Sequence, residues 1–216
     1  EKMECLIGIQ FKDFVLVAAD MTNAQSIMVM KTDEQKIHKI SDKLVMAVSG
    51  ESGDTTQFSE YIAKNIQLYK MRNGYELSPK AAASFTRRNL ADYLRTRTPY
   101  FVNILMAGHD EETGPQLFFI DYMASCVKVP YAAHGYGGFF SLTIMDRYHN
   151  PSKNFLITFS EAYELMKKCV REIHKRLIVN LPNFKVQKVS KDGIVELAPI
   201  TAQNLSIISS CWTRRR

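Results

Sequence analysis

The chain has 216 residues, 46% of them hydrophobic, enough for one domain with a sizeable core. Of its formal charge of +6, three units sit in the closing Arg214, Arg215 and Arg216; elsewhere basic and acidic residues alternate, with no basic stripe, zinc-finger spacing or RNP-like strand to argue for nucleic acid. No apolar run approaches the ~18 to 20 residues that span a bilayer, the first residues lack a secretory pattern, and no internal repeat divides the chain.

Leu6 to Gln10 and Phe14 to Ala19 read as two short strands about a turn at Lys12-Asp13. Ser26 to Met30 and Leu44 to Ser49 are further strands. Asp54 reads as an N-cap, with Gln57 in the capping-box position. Apolar residues at Phe58, Tyr61, Ile62, Ile66 and Tyr69 then follow helical spacing until Gly74 closes the helix, about 52–73. A second helix opens at Ser78-Pro79 and runs to about Arg95. Strands are expected at Val102 to Ala107 and Leu117 to Asp121 around the turn-rich Asp110 to Pro115, with extended chain over Ser125 to His134. Gly135-Tyr136-Gly137-Gly138 leads into a helix from about Phe139 to Tyr148. The longest helix is expected from Ser160, with Ala162, Leu165, Met166, Cys169, Val170, Ile173 and Leu177 inward and Pro182 as its stop. A hairpin joins Phe184 to Val189 with Ile194 to Leu197 through Lys191-Asp192-Gly193.

Strands grouped between helix pairs argue against a doubly wound parallel sheet. The order predicts an α+β fold, a four-layer αββα sandwich in which two mostly antiparallel sheets pack face to face between helix pairs. Four separated cysteines (Cys5, Cys126, Cys169, Cys211) form no CxxC pair and read as free thiols of a reducing compartment, cytosol or nucleus. The five histidines show no HxH or HxxxH spacing, so no metal is expected. Gly135-x-Gly137 lacks the third glycine of a phosphate loop, because Phe140 stands there, and reads as a close-packed turn; no cofactor is expected.

Several landmarks resemble the β subunits of the 20S proteasome: Phe14-Val15-Leu16-Val17-Ala18-Ala19-Asp20, Gly50 at a strand end, Gly53-Asp54, Ala107-Gly108 with Asp110, Gly135-Tyr136-Gly137 and Met145-Asp146-Arg147. The resemblance runs from about Met3 to Leu197, which divides the chain into a β-type domain, 1–198, and a tail, 199–216. Tyr69 to Pro79 with Arg97-Thr98-Pro99-Tyr100 is similar to one non-catalytic branch, which takes the fourth position of the eukaryotic β ring.

The resemblance implies the N-terminal-nucleophile form of the αββα sandwich. It also implies a place among the α and β subunits of a twenty-eight-subunit particle in cytoplasm and nucleus, which degrades ubiquitin-tagged and unfolded proteins, with a regulatory particle as an indirect partner. In that family the first helix pair faces the α ring and the second the opposite β ring, so Tyr61, Tyr69 and Met71 are either interface or core residues. The apolar tail Asn204 to Trp212 is expected to lie across a neighbouring subunit.

Active members use an N-terminal threonine with its free amine, a lysine oriented by an aspartate, and a backbone N–H for the oxyanion. Aligned on those landmarks, the aspartate falls on Asp20, the lysine on Lys36 and the oxyanion donor on Gly50. The nucleophile position falls on Glu4, which has no hydroxyl, and no Gly-Thr, Gly-Ser or Gly-Cys bond exists for maturation to cut. The family's second aspartate falls on Leu177, its following serine on Asn180 and its turn serine on Tyr136. The pocket of Asp20, Lys36 and Gly50 is therefore expected to be vestigial and the subunit non-catalytic. The alternative is an N-terminal-nucleophile peptidase using Cys5 after trimming; a one-residue offset in a strand turns that side chain to the other face.

Overall fold

The structure, a computed structural model, describes residues 4–25, 28–148 and 157–206. In chain order it contains β1 (Leu6–Gln10), β2 (Phe14–Asp20), β3 (Asn23–Gln25), β4 (Met28–Lys31), β5 (Ile37–Ser41), β6 (Leu44–Gly50), α1 (Ser52–Asn73) and α2 (Pro79–Leu94). These are followed by β7 (Val102–Asp110), β8 (Gly114–Ile120), β9 (Cys126–Lys128), β10 (Tyr131–His134), α3 (Tyr136–Tyr148), α4 (Phe159–Arg176), β11 (Asn183–Ser190), β12 (Gly193–Thr201) and α5 (Ala202–Ser206). One five-stranded sheet has the order β10-β1-β2-β11-β12, the other β5-β6-β7-β8-β9. Every ladder in both is antiparallel.

Strand periodicity builds the layers. Successive side chains of a strand point to opposite faces, and in β2 and β6 both faces are apolar, so these two strands are buried along their whole length. In β2, Val15, Val17 and Ala19 meet Val45 and Ala47 of β6 and Leu105 and Ala107 of β7 between the sheets. The alternate residues Phe14, Leu16 and Ala18 face α4, against Leu165, Met166, Cys169, Val170 and Ile173. On the far side Met46, Val48, Ile104 and Met106 pack under Phe58, Ile62 and Ile66 of α1 and Leu90 of α2. Each fully buried side chain of this size contributes about 1.5–3 kcal/mol relative to exposure. The result is the expected αββα sandwich.

Several local expectations hold and others shift. Ser78 caps α2 by accepting from the Ala81 N–H (3.3 Å), and Gly74 ends α1 in the left-handed region, its N–H on the Lys70 carbonyl (2.8 Å). Asp54 is not the cap of α1: the helix begins two residues earlier, and the Asp54 carboxylate accepts instead from the Phe101 N–H (3.0 Å). The capping box lies at α4, where Thr158 and Glu161 exchange bonds. That helix has 18 residues against 22 in α1, so α1 is the longer. It stops at Arg176, well before Pro182, where β-branched Ile178 and Val179 disfavour another turn. The extended stretch before Gly135 is two strands in different sheets, β9 and β10. Of the strand expected at 26–30, residues 26 and 27 lie outside the described residues.

Tyr61 and Met71 are exposed, and Tyr69 is half-buried with its hydroxyl 2.7 Å from that of Tyr75. β12 continues to Thr201, and Leu205 packs into the core. Residues 207–216, including Trp212, lie outside the described residues.

His134 ties the two sheets together: its Nε2 donates to the Ile104 carbonyl of β7 (3.1 Å) and its ring stacks on Phe119 of β8 at 4.1 Å. Burial lowers its pKa from 6.5 to about 4. The unfolded chain therefore binds the extra proton between those values, and stability falls as the pH drops through that window, by about 3 kcal/mol in all. His134→Phe should flatten the slope of unfolding free energy between about pH 6.5 and 4; an unchanged slope would assign the acid sensitivity elsewhere.

Candidate functional site

The end of β2 brings the predicted residues together. β1 and β2 pair with Leu6 opposite Ala19, so the chain just ahead of β1 lies beside Asp20. The Cys5 N–H donates to Asp20 Oδ1 (2.7 Å) and the Thr22 N–H to Asp20 Oδ2 (3.1 Å). Lys36 enters from the segment before β5; its carbonyl accepts from the Val48 N–H of β6 (2.9 Å), which fixes where its side chain starts. From there Lys36 Nζ donates to Asp20 Oδ2 (2.8 Å) and to the Thr22 carbonyl (2.8 Å). Asp20 is 0% and Lys36 6% exposed, so this is a buried ion pair whose spare valences are met by backbone. Burial pushes the Asp20 carboxyl above its usual range, while the Lys36 ammonium and the two backbone N–H groups pull it down.

Glu4 completes the cluster. Its Oε1 lies 3.5 Å from Lys36 Nζ, and its Oε2 accepts the Gly50 N–H at 3.0 Å. Gly50 ends β6 at φ +144, and a Cβ there would fall 2.0 Å from the Phe101 carbonyl oxygen; the position demands glycine. Gly135 (φ +79) is equally constrained, since its Cβ would fall 1.8 Å from the Glu4 carbonyl oxygen. Two glycines thus hold the walls against which Glu4 is seated. The cavity left beside Glu4, Lys36 and Ser49 is about 20 Å³, room for about one water.

Cys5 faces the other way. It is 0% exposed in the core beneath α3 and α4, and a Cβ on Gly137 would come within 2.4 Å of its sulfur. Burial first, and then the Asp20 carboxylate, push its thiol well above the ordinary range. Strand geometry sets the direction of its side chain: Cys5 shares the face of Ile7 and Ile9, while Leu6 lies between the sheets.

The remaining predicted positions have other surroundings. Leu177 caps α4 and packs against the helix-side core, Asn180 is exposed in the following loop, and Tyr136 opens α3 with its ring 6.4 Å from that of Phe139. Sequence reasoning missed Thr22, which serves the ion pair through both backbone groups. The available signal was Asp20 itself, since an aspartate commonly accepts from the N–H two residues on.

The arrangement gathers fixed charge around Lys36. The ammonium has three oxygen partners, the Gly50 N–H has a carboxylate on it, and the one nearby thiol is in the core.

The family described as "Proteasome subunit" matches residues 2–189. The chain is 46% identical over 196 residues to the probable proteasome subunit beta type-4 of Schizosaccharomyces pombe, covering 90% of this chain and 99% of that protein. It is 47% identical to the proteasome subunit beta type-2-A of Arabidopsis thaliana, over 91% of this chain and 94% of that one. It is 40% identical over 202 residues to the proteasome subunit beta type-4 of Saccharomyces cerevisiae, covering 93% and 100%.

Removing one member of the cluster separates its parts. Lys36→Met strands the Asp20 carboxylate and should cost about 3–5 kcal/mol in denaturant unfolding. Glu4→Gln keeps an oxygen for the Gly50 N–H and should cost about 1 kcal/mol. Equal losses would mean that Asp20 does not depend on Lys36 for its charge.

Proposed function

The chain belongs to the proteasome subunit family, and we propose that it serves there as a non-catalytic β-type subunit, a structural part of the β ring and of the wall of its proteolytic chamber. The observation that carries this reading is the Glu4 carboxylate on the Gly50 N–H and beside the Lys36 ammonium. In an active relative of the kind that the resemblance implies, a hydroxyl would attack next to that lysine, and the developing oxyanion would rest on that N–H. Here a fixed negative charge occupies the place where negative charge would have to develop. A substrate carbonyl would have to expel an ion-paired carboxylate, and no nucleophile would then await it.

The retained Asp20 and Lys36 act in this reading as structure. The pair ties the start of β1, the end of β2 and the segment before β5 into one corner, where both sheets meet. The subunit's contribution to degradation of ubiquitin-tagged and unfolded proteins is then to complete the chamber, together with the other α and β subunits of a twenty-eight-subunit particle, in cytosol and nucleus. Cys5 gives the peptidase alternative no support, being buried on the wrong face.

Two properties of the natural subunit, isolated within its particle, test this. Its intact mass should correspond to a chain that retains residues ahead of Glu4. It should also remain unlabelled by an electrophilic inhibitor that modifies the active β subunits of the same preparation. A mature chain beginning at Cys5, or a stoichiometric adduct on it, would refute the proposal.

A further inference from the structure

A groove of about 490 Å³ lies between the end of α3 and the second half of α4. Arg147, Lys168, Arg171, Lys175 and Arg176 line it, with Glu172 as its carboxylate. Lys168, Arg171 and Lys175 follow at i, i+3 and i+7, so they share one face of α4, and like charges at such spacing work against the helix that carries them. Glu172 is committed to Arg176 (2.5 Å) and reaches Lys175 at 4.0 Å. Among the described residues Arg147, Lys168 and Arg171 have no carboxylate within ion-pair distance.

The cations are also held in place. Arg147 lies 5.7 Å and Lys168 4.4 Å from the centre of the Tyr148 ring, which gathers charges from two helices about one aromatic ring. From Lys168 to Lys175 the helix rises about 10 Å, the reach of about three residues of extended chain. A track of that length is short for a nucleic acid backbone, whose binding rests on many phosphate contacts, and suits a brief run of carboxylates.

We propose that this groove is the docking site for an acidic segment of another subunit, two or three Asp or Glu residues seated on Arg147, Lys168 and Arg171. The inference rests on the reading of the chain as a particle subunit and names a surface by which it is held there.

Treatment of the intact particle with a carbodiimide, which joins ammonium and carboxylate groups only in direct contact, tests it by mass spectrometry. Lys168 or Lys175 should be found coupled to an Asp or Glu of a different subunit. Lys168 should also resist acetylation by a water-soluble ester that modifies Lys64, whose side chain is 77% exposed. In cells, Arg147→Glu with Arg171→Glu should lower incorporation at least tenfold, whereas Arg147→Lys with Arg171→Lys should leave it near wild type. Acetylation of Lys168 as fast as Lys64 without any cross-link, or full incorporation of the charge-reversed chain, would overturn the proposal. So would a groove that becomes reactive only after nuclease treatment, which would assign it to nucleic acid. Absence of the wild-type chain from the particle would instead sink the ring-subunit reading, and this one with it.

Discussion

The buried ammonium of Lys36 is the constraint on which the rest of the site depends. An uncompensated charge in a protein interior is costly, and the fold meets this one with the Asp20 carboxylate, the Thr22 carbonyl and Glu4. Asp20 in turn needs donors, and the N–H groups of Cys5 and Thr22 supply them. Satisfying these groups fixes the end of β2, the approach to β1 and the entry to β5 at once. The corner is thus built by hydrogen-bond bookkeeping, around which the apolar layers are laid.

Glu4 gives that corner its chemical character. In the active members that the resemblance implies, the lysine and the backbone donor are useful only if they remain available to a reacting substrate. A carboxylate provides both with a permanent partner, and Gly50 and Gly135 leave room for it through backbone conformations and close approaches that a side chain would forbid. On the proposed reading, residues that would support catalysis beside a hydroxyl support packing beside a carboxylate. On the reading proposed above, the loss of activity lies in the occupancy of the pocket as much as in the missing nucleophile.

What the sequence made legible follows from the range of the interactions. β1, β2, β6 and β7 are apolar on both faces, so each reads as a strand without reference to its partner, and Ser78 and Gly74 announce helix ends through bonds three or four residues long. β5 escapes notice because Ile37-His38-Lys39-Ile40-Ser41 is short and half polar. Asp54 carries an N-cap signature, but the partner it takes, the Phe101 N–H, is 47 residues away. The split of one extended stretch into β9 and β10 is likewise decided by which sheet each half meets. At the site, the resemblance identified Asp20, Lys36, Gly50 and Glu4 as positions. That the Glu4 carboxylate bonds the Gly50 N–H, 46 residues on, is a tertiary fact with no local trace.

The most direct test is a high-resolution structure of the assembled particle bearing a covalent transition-state analogue in its active subunits. In this chain the account predicts the Glu4 carboxylate on the Gly50 N–H, beside Lys36, with no analogue in the pocket. Glu4 turned out to solvent, or the analogue's oxyanion resting on Gly50 in its place, would contradict it.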